Sequence, residues 1–89
     1  MSNWKGMSFS KWKILLMREL VELRSSYEND EKLTTSLDSL INELRYARVR
    51  DLARILFNIH LLLRAYDLPT LKGYIPPAEA IESWLDKEE

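Results

Sequence analysis

His60, the single histidine of this 89-residue chain, is the first candidate for proton transfer or metal binding. It lies between Ile59 and Leu61 in the most apolar segment, where a lone histidine is more typical of packing than of catalysis. The chain has no cysteine, which excludes disulfides, thiolate zinc sites and cysteine nucleophiles. One histidine without carboxylates at ligand spacing makes a poor metal site. We therefore expect no metal and no cofactor.

Acidic residues could act as a general acid and base only where they converge in a dry cleft. The two candidate groups lie in a predicted turn and along a predicted helix: Glu28, Asp30 and Glu31, and Glu19 with Glu22. Helix capping and solvated faces account for both groups. Two isolated glycines leave no room for a glycine-rich phosphate loop. The sequence therefore predicts no catalytic residue, and a small helical enzyme is kept only as the second alternative.

Arg45, Arg48, Arg50 and Arg54 form the densest basic cluster. The planar guanidinium group suits phosphate, which makes nucleic-acid binding the first alternative function. On one continuous helix, however, the first two arginines and the last two would point in different directions, and a ridge that follows phosphates needs them aligned. We therefore expect nucleic-acid contact to be indirect, and these arginines to pair with acidic segments or with an acidic protein.

The elements that position these side chains are predicted to be helices. No glycine or proline occurs between Met7 and Leu68, and few runs alternate with period two, so the predicted class is all-α. Ser8 or Ser10 suits the start of the first helix, and Asp30 suits the start of the second. We expect one domain over residues 1–89, a small antiparallel helical bundle. Its three longer helical segments and short C-terminal helix are predicted at about 9–26, 31–47, 49–67 and 77–87.

The first helix carries two apolar stripes on nearly opposite faces. One consists of Phe9, Trp12, Leu16, Leu20, Leu23 and Tyr27, and the other of Ile14, Met17 and Val21. Either the helix is wedged within one core, or the second stripe meets another chain. Trp84, beside the Pro76-Pro77 connector, is a further docking candidate because tryptophan is enriched at interface hot spots. The other interpretation is that the last helix folds back and Trp84 closes the bundle.

The apolar pattern changes phase in the middle of the chain. The stripe that includes Leu37 and Leu44 gives way to one that includes Val49, Leu52, Ala53, Leu56 and Leu63, a jump of roughly 120° at 100° per residue. Either the chain breaks near residues 45–50, or one helix of about 37 residues turns a new face to a second partner. No turn residue marks the jump. A helix about 55 Å long fits poorly into a domain of this size, which favours the break.

The net charge of −1 conceals alternating blocks of charge. Residues 1–24 carry +3, residues 25–44 carry −4, residues 45–72 carry +4 and residues 73–89 carry −4. Antiparallel neighbours could pair these blocks, or a basic surface could be offered to an acidic partner. No apolar run has the length of a membrane span or a signal peptide, so we expect a cytoplasmic protein without a membrane partner. The absence of cysteine and glutamine favours a thermophilic source.

The string Leu44–Ala53 reads Leu-Arg-Tyr-Ala-Arg-Val-Arg-Asp-Leu-Ala. Over these ten residues it resembles the Arg-bearing helix in the α-domain of GINS replication subunits. The resemblance implies, as the alternative, an accessory factor of a DNA replication or polymerase-type machine that uses an Arg-rich helix. The residues themselves favour a non-enzymatic interaction module, or a small accessory subunit, that binds a protein partner or a second copy of itself. Apolar burial would supply affinity, and the charge blocks would set orientation.

Overall fold

The computed structural model describes residues 4, 6–69 and 71–87, so seven residues of the predicted domain, 1–3, 5, 70, 88 and 89, lie outside the described residues. The described part contains four α-helices: α1 (Phe9–Ser26), α2 (Glu31–Arg45), α3 (Leu52–Ala65) and α4 (Ala78–Lys87). Single turns of 3₁₀ helix lie at Val49–Asp51 and Lys72–Tyr74, and no described residue is in a strand. The predicted all-α class is confirmed.

Polar contacts between neighbouring helices show that successive long helices run antiparallel. Near the start of α1, Lys13 reaches the end of α2, and near the end of α1, Arg24 pairs with Asp38 in the middle of α2. Glu43 near the end of α2 pairs with Arg54 near the start of α3, at 3.1 Å. Farther from the connection between α2 and α3, Ser36 and Leu40 of α2 line one surface groove with Leu61 and Leu62 of α3, so both helix pairs have the antiparallel arrangement expected for the bundle. Both ion pairs join a basic block to an acidic one.

The core is built from one stripe of each helix at spacings of three and four residues. Its fully buried members include Trp12, Leu16, Leu20, Leu33, Leu37, Leu44, Ile55 and Leu63. Ala53, which the sequence pattern placed on the buried stripe of the third segment, is exposed. The face of α3 that points to the core passes through Leu52, Ile55 and Ile59, and Ala53 lies about 100° away from Leu52.

Local hydrogen bonds fix the starts of α1 and α2 and the end of α3. The Ser8 hydroxyl accepts from the Lys11 backbone N–H at 3.0 Å, and the Asp30 carboxylate accepts from the Leu33 backbone N–H at 3.1 Å. The end of α3 is a Schellman motif, in which the N–H of Leu68 bonds the carbonyl of Leu63 at 2.8 Å. Asp67 holds the left-handed position of that motif, with φ of 56°. Therefore α3 ends two residues earlier than the sequence pattern predicts.

The helix is interrupted between α2 and α3, so the middle segment of the chain forms two helices. Lys13 Nζ donates to the carbonyls of Arg45 and Ala47, at 3.2 and 3.0 Å, and so satisfies one acceptor at the end of α2 and one just beyond it. The carboxylate of Asp51 accepts from the backbone N–H of Arg48 at 3.0 Å, which starts the next turn. The string Leu44–Ala53 is therefore the end of one helix, a turn and the start of another, unlike the single helix that it resembles in sequence.

No helix in the described part of the chain combines the length and the apolar character that crossing a membrane requires.

Candidate interaction surfaces

The second stripe of α1 faces largely outward. We call Ile14, Met17 and Val21 the α1 surface. Ile14 is 57% exposed and Val21 is about half exposed, because the buried stripe of α1 lies on the other side of the helix. Met17 is half-buried and packs against the core edge. The structure thus brings the three predicted residues together on one face, with Ile14 and Val21 outside the core.

Trp84 is buried, with only 3% of its surface exposed. Its indole N–H donates to the carbonyl of Met7 at 2.8 Å, and its ring lies 5.5 Å from that of Phe9 and 5.7 Å from that of Trp12. The last helix therefore folds back onto the start of α1, and Trp84 closes the bundle. In this arrangement it offers no exposed ring to a partner.

Tyr74 ties the connector before α4 to α1. Its carbonyl accepts from the Trp12 indole N–H at 2.8 Å, and its hydroxyl donates to the Glu19 carboxylate at 3.0 Å. Burial raises the pKa of the Tyr74 hydroxyl above its ordinary value, and the hydrogen bond to Glu19 adds to the rise. Glu19 therefore has a structural partner, which spacing within the helix could not reveal.

An exposed apolar pair lies on α3, and the sequence pattern does not predict it. Phe57 is 59% exposed and Leu61 is 50% exposed, and one helical turn separates them. Arg54 and Arg64 lie three residues outside the pair, one at each end, and are exposed. We call these four residues the α3 surface. The sequence Leu52–Ala65 contains two arginines and no acidic residue, which indicates a basic helix but not which of its apolar residues are exposed.

The four clustered arginines are all exposed but do not share one helix. Arg45 is the last residue of α2, and Arg48 lies between α2 and the 3₁₀ turn. Arg50 lies in that turn, and Arg54 lies in α3. The Arg54 guanidinium pairs with Glu43 at 3.1 Å and with Asp51 at 3.7 Å. The backbone N–H of Arg48 lowers the pKa of Asp51 below its ordinary value, and the nearby charge of Arg54 lowers it further. At least one of the four is therefore engaged within the fold.

The outer face of α4 is acidic. Glu79, Glu82 and Asp86 are exposed there, together with Leu85, which is nearly half exposed. We call these four residues the α4 surface. The buried face of the helix consists of Ala80 and Trp84, which lie on the opposite side. The α3 surface is therefore a basic apolar face, and the α4 surface is an acidic one.

His60 is exposed and borders a cavity of about 60 Å³ whose lining is otherwise apolar, with Leu56, Leu71 and Ile75 among the neighbours. Within residues 4, 6–69 and 71–87, no three histidine, aspartate or glutamate side chains are grouped so that they could hold a metal ion. No carboxylate lines this cavity, so no acidic side chain lies beside His60 there.

No protein-family model, no curated protein and no solved structure matches the chain. The α1, α3 and α4 surfaces are therefore defined by exposure, spacing and charge in this chain alone.

Proposed function

We propose that the chain is a non-enzymatic helical interaction module of the cytoplasm, which acts as a small accessory subunit by docking on a larger protein through its α1 surface. The observation that carries this proposal is the exposure of Ile14 and Val21 on a helix whose other stripe already lies in the core. Partners would bury the second stripe and be oriented by the charges beside it.

The core supports the proposal because Ile14 and Val21 of the α1 surface lie outside it. Among the described residues, every buried side-chain nitrogen or oxygen has a hydrogen-bond partner. The interior is filled by residues from all four helices, with Trp12 and Trp84 bridging α1 and α4. Exposed Ile14 and Val21 therefore contribute little to folding. Burying one such side chain against a partner is worth about 1.5–3 kcal/mol.

The test is to purify the protein with its partner from the native source, identify that partner, and measure binding between the two purified proteins by calorimetry. The variant Ile14→Asn should weaken binding at least about tenfold, since the lost burial exceeds about 1.4 kcal/mol. Its free energy of unfolding should change by no more than about 0.5 kcal/mol, as is usual for surface positions.

Ile75→Asn is the matched control. Ile75 is the same residue type as Ile14 and is similarly exposed, at 59%, but it lies on the connector before α4. It should bind as the wild type does. If Ile14→Asn unfolds the protein, the stripe belongs to the core and the proposal is wrong. It is also wrong if the protein instead binds DNA or RNA, in a way that depends steeply on salt and is lost with Arg48→Ala or Arg54→Ala.

A further inference from the structure

The α3 and α4 surfaces are complementary in charge and similar in length. The α3 surface has an apolar pair between two arginines, and the α4 surface has one leucine among three acidic residues. Arg54 and Arg64 are about 15 Å apart along α3, and α4 is also about 15 Å long at 1.5 Å per residue. Each face therefore has the apolar contact and the opposite charges that the other needs.

We propose that a second copy of this chain docks its α4 surface on the α3 surface, so that copies associate head to tail. Two different faces meet in this contact, which makes it heterologous, and a bound pair still presents one free α3 surface and one free α4 surface. The contact would form an open chain or a ring. It uses neither Ile14 nor Val21, so it does not depend on the function proposed for the α1 surface.

A symmetric contact between two α3 helices is disfavoured by charge. In an antiparallel pair centred between Phe57 and Leu61, Arg54 of each copy would meet Arg64 of the other, because both arginines lie three residues outside the pair. Neither α3 surface contains a carboxylate that could pair with Arg64 of the other copy, whereas the α4 surface contains three. The occupant of the α3 surface should therefore be acidic, and the α4 surface is an acidic helical face that this chain itself provides.

The spacing along the two helices indicates which residues meet. With Leu85 seated between Phe57 and Leu61, Glu79 lies about 9 Å away along α4, and Arg64 lies about 7.5 Å from the same midpoint along α3. Antiparallel docking thus brings Glu79 to Arg64. The opposite direction would bring Glu79 to Arg54, which already pairs with Glu43 and Asp51. No described carboxylate forms an ion pair with Arg64, which favours the antiparallel direction.

Two complementary variants test this contact by light scattering and sedimentation equilibrium at low salt. Phe57→Asn removes the α3 surface, and Leu85→Asn removes the α4 surface. Wild-type protein should form species larger than a dimer as its concentration rises toward about 1 mM. Each variant alone should associate at least about tenfold more weakly. Their equimolar mixture should stop at a dimer, twice the 10.6 kDa chain, because only one contact is left intact.

A charge exchange provides the second arm, and far-UV circular dichroism confirms that each variant is folded. Arg64→Glu and Glu79→Lys should each reduce association, and the double variant should restore it. If Glu79→Lys unfolds α4, Glu82→Lys takes its place. The proposal is overturned if the wild type stays monomeric, if the mixture forms no dimer, or if association is lost with Ile14→Asn but not with Phe57→Asn. Binding of nucleic acid by the α3 surface of a monomeric chain would also overturn it.

Discussion

Replacing Lys13 with methionine should destabilise the protein, although the residue lies at the edge of the bundle. Its ammonium group donates to the carbonyls of Arg45 and Ala47 at the end of α2 and lies 5.2 Å from the centre of the Phe9 ring. No glycine ends α2 in the left-handed conformation that often satisfies such carbonyls. A lysine from the neighbouring helix takes over that role, so its loss should loosen the break between α2 and α3.

The interactions of the Lys13 ammonium group together contribute moderately to the free energy of unfolding. Hydrogen bonds from a charged donor are worth about 1.5–3 kcal/mol when shielded, but the bond to Arg45 is exposed, and water replaces much of it. A cation at a helix C-terminus adds about 0.3–1 kcal/mol, and an exposed cation–π contact adds about 0.5 kcal/mol. Methionine keeps most of the packing of the aliphatic stem. We therefore expect Lys13→Met to lower the free energy of unfolding by about 1–2 kcal/mol and Tm by about 5–10 °C.

Urea unfolding followed by far-UV circular dichroism measures this effect, with Lys11→Met as the control. Lys11 lies on the same helix and is exposed, and its side chain makes no hydrogen bond or ion pair with a described residue. The control should stay within about 0.5 kcal/mol of the wild type. If Lys13→Met costs no more than Lys11→Met, the lysine does not cap α2 and the explanation of the break is wrong.

Asp67→Gly should stabilise the protein by about 0.5–1 kcal/mol, because glycine tolerates the left-handed φ of 56°. The change also removes a negative charge from the C-terminus of α3. A lower Tm for the variant in calorimetry would contradict this prediction. Tyr74 should make stability fall at alkaline pH. Its pKa is raised above 10.0 in the folded protein, so its contribution is complete below the unfolded pKa and is lost as pH rises through the folded one. In urea titrations between about pH 8 and 11, Tyr74→Phe should lack this part of the decline, while losing about 1 kcal/mol at neutral pH with the bond to Glu19. Parallel declines in the two proteins would refute the assignment.

The helix starts could be predicted from the sequence because the groups that fix them are local. Ser8 and Asp30 each bond a backbone N–H three residues along the chain, so a short window contains the whole interaction. The two stripes of α1 were visible for the same reason, since one helical period decides which residues share a face. Spacing could not tell which stripe is buried, because that depends on where the other helices pack.

The break between α2 and α3 could not be decided from the sequence because Lys13, which satisfies the carbonyls there, is more than 30 residues away. The α3 surface was hidden for a different reason. In a segment as apolar as Leu52–Leu63, Phe57 and Leu61 do not differ in character from the core residues beside them. Only the direction of the core separates the two sets, and that direction is a tertiary property.

The packing of Trp4, Trp12 and Trp84 has a spectroscopic consequence. These are the three tryptophans of the chain, and the ring of Trp84 lies 6.2 Å from that of Trp4 and 5.7 Å from that of Trp12. All tryptophan emission therefore originates at the end of the bundle where α4 meets the start of α1, and none comes from the turn around Asn29. Fluorescence reports the docking of α4, whereas far-UV circular dichroism reports the helices as a whole. Coincident unfolding curves from the two signals would show that α4 leaves together with the rest of the bundle, and an earlier fluorescence transition would identify it as a separately melting unit.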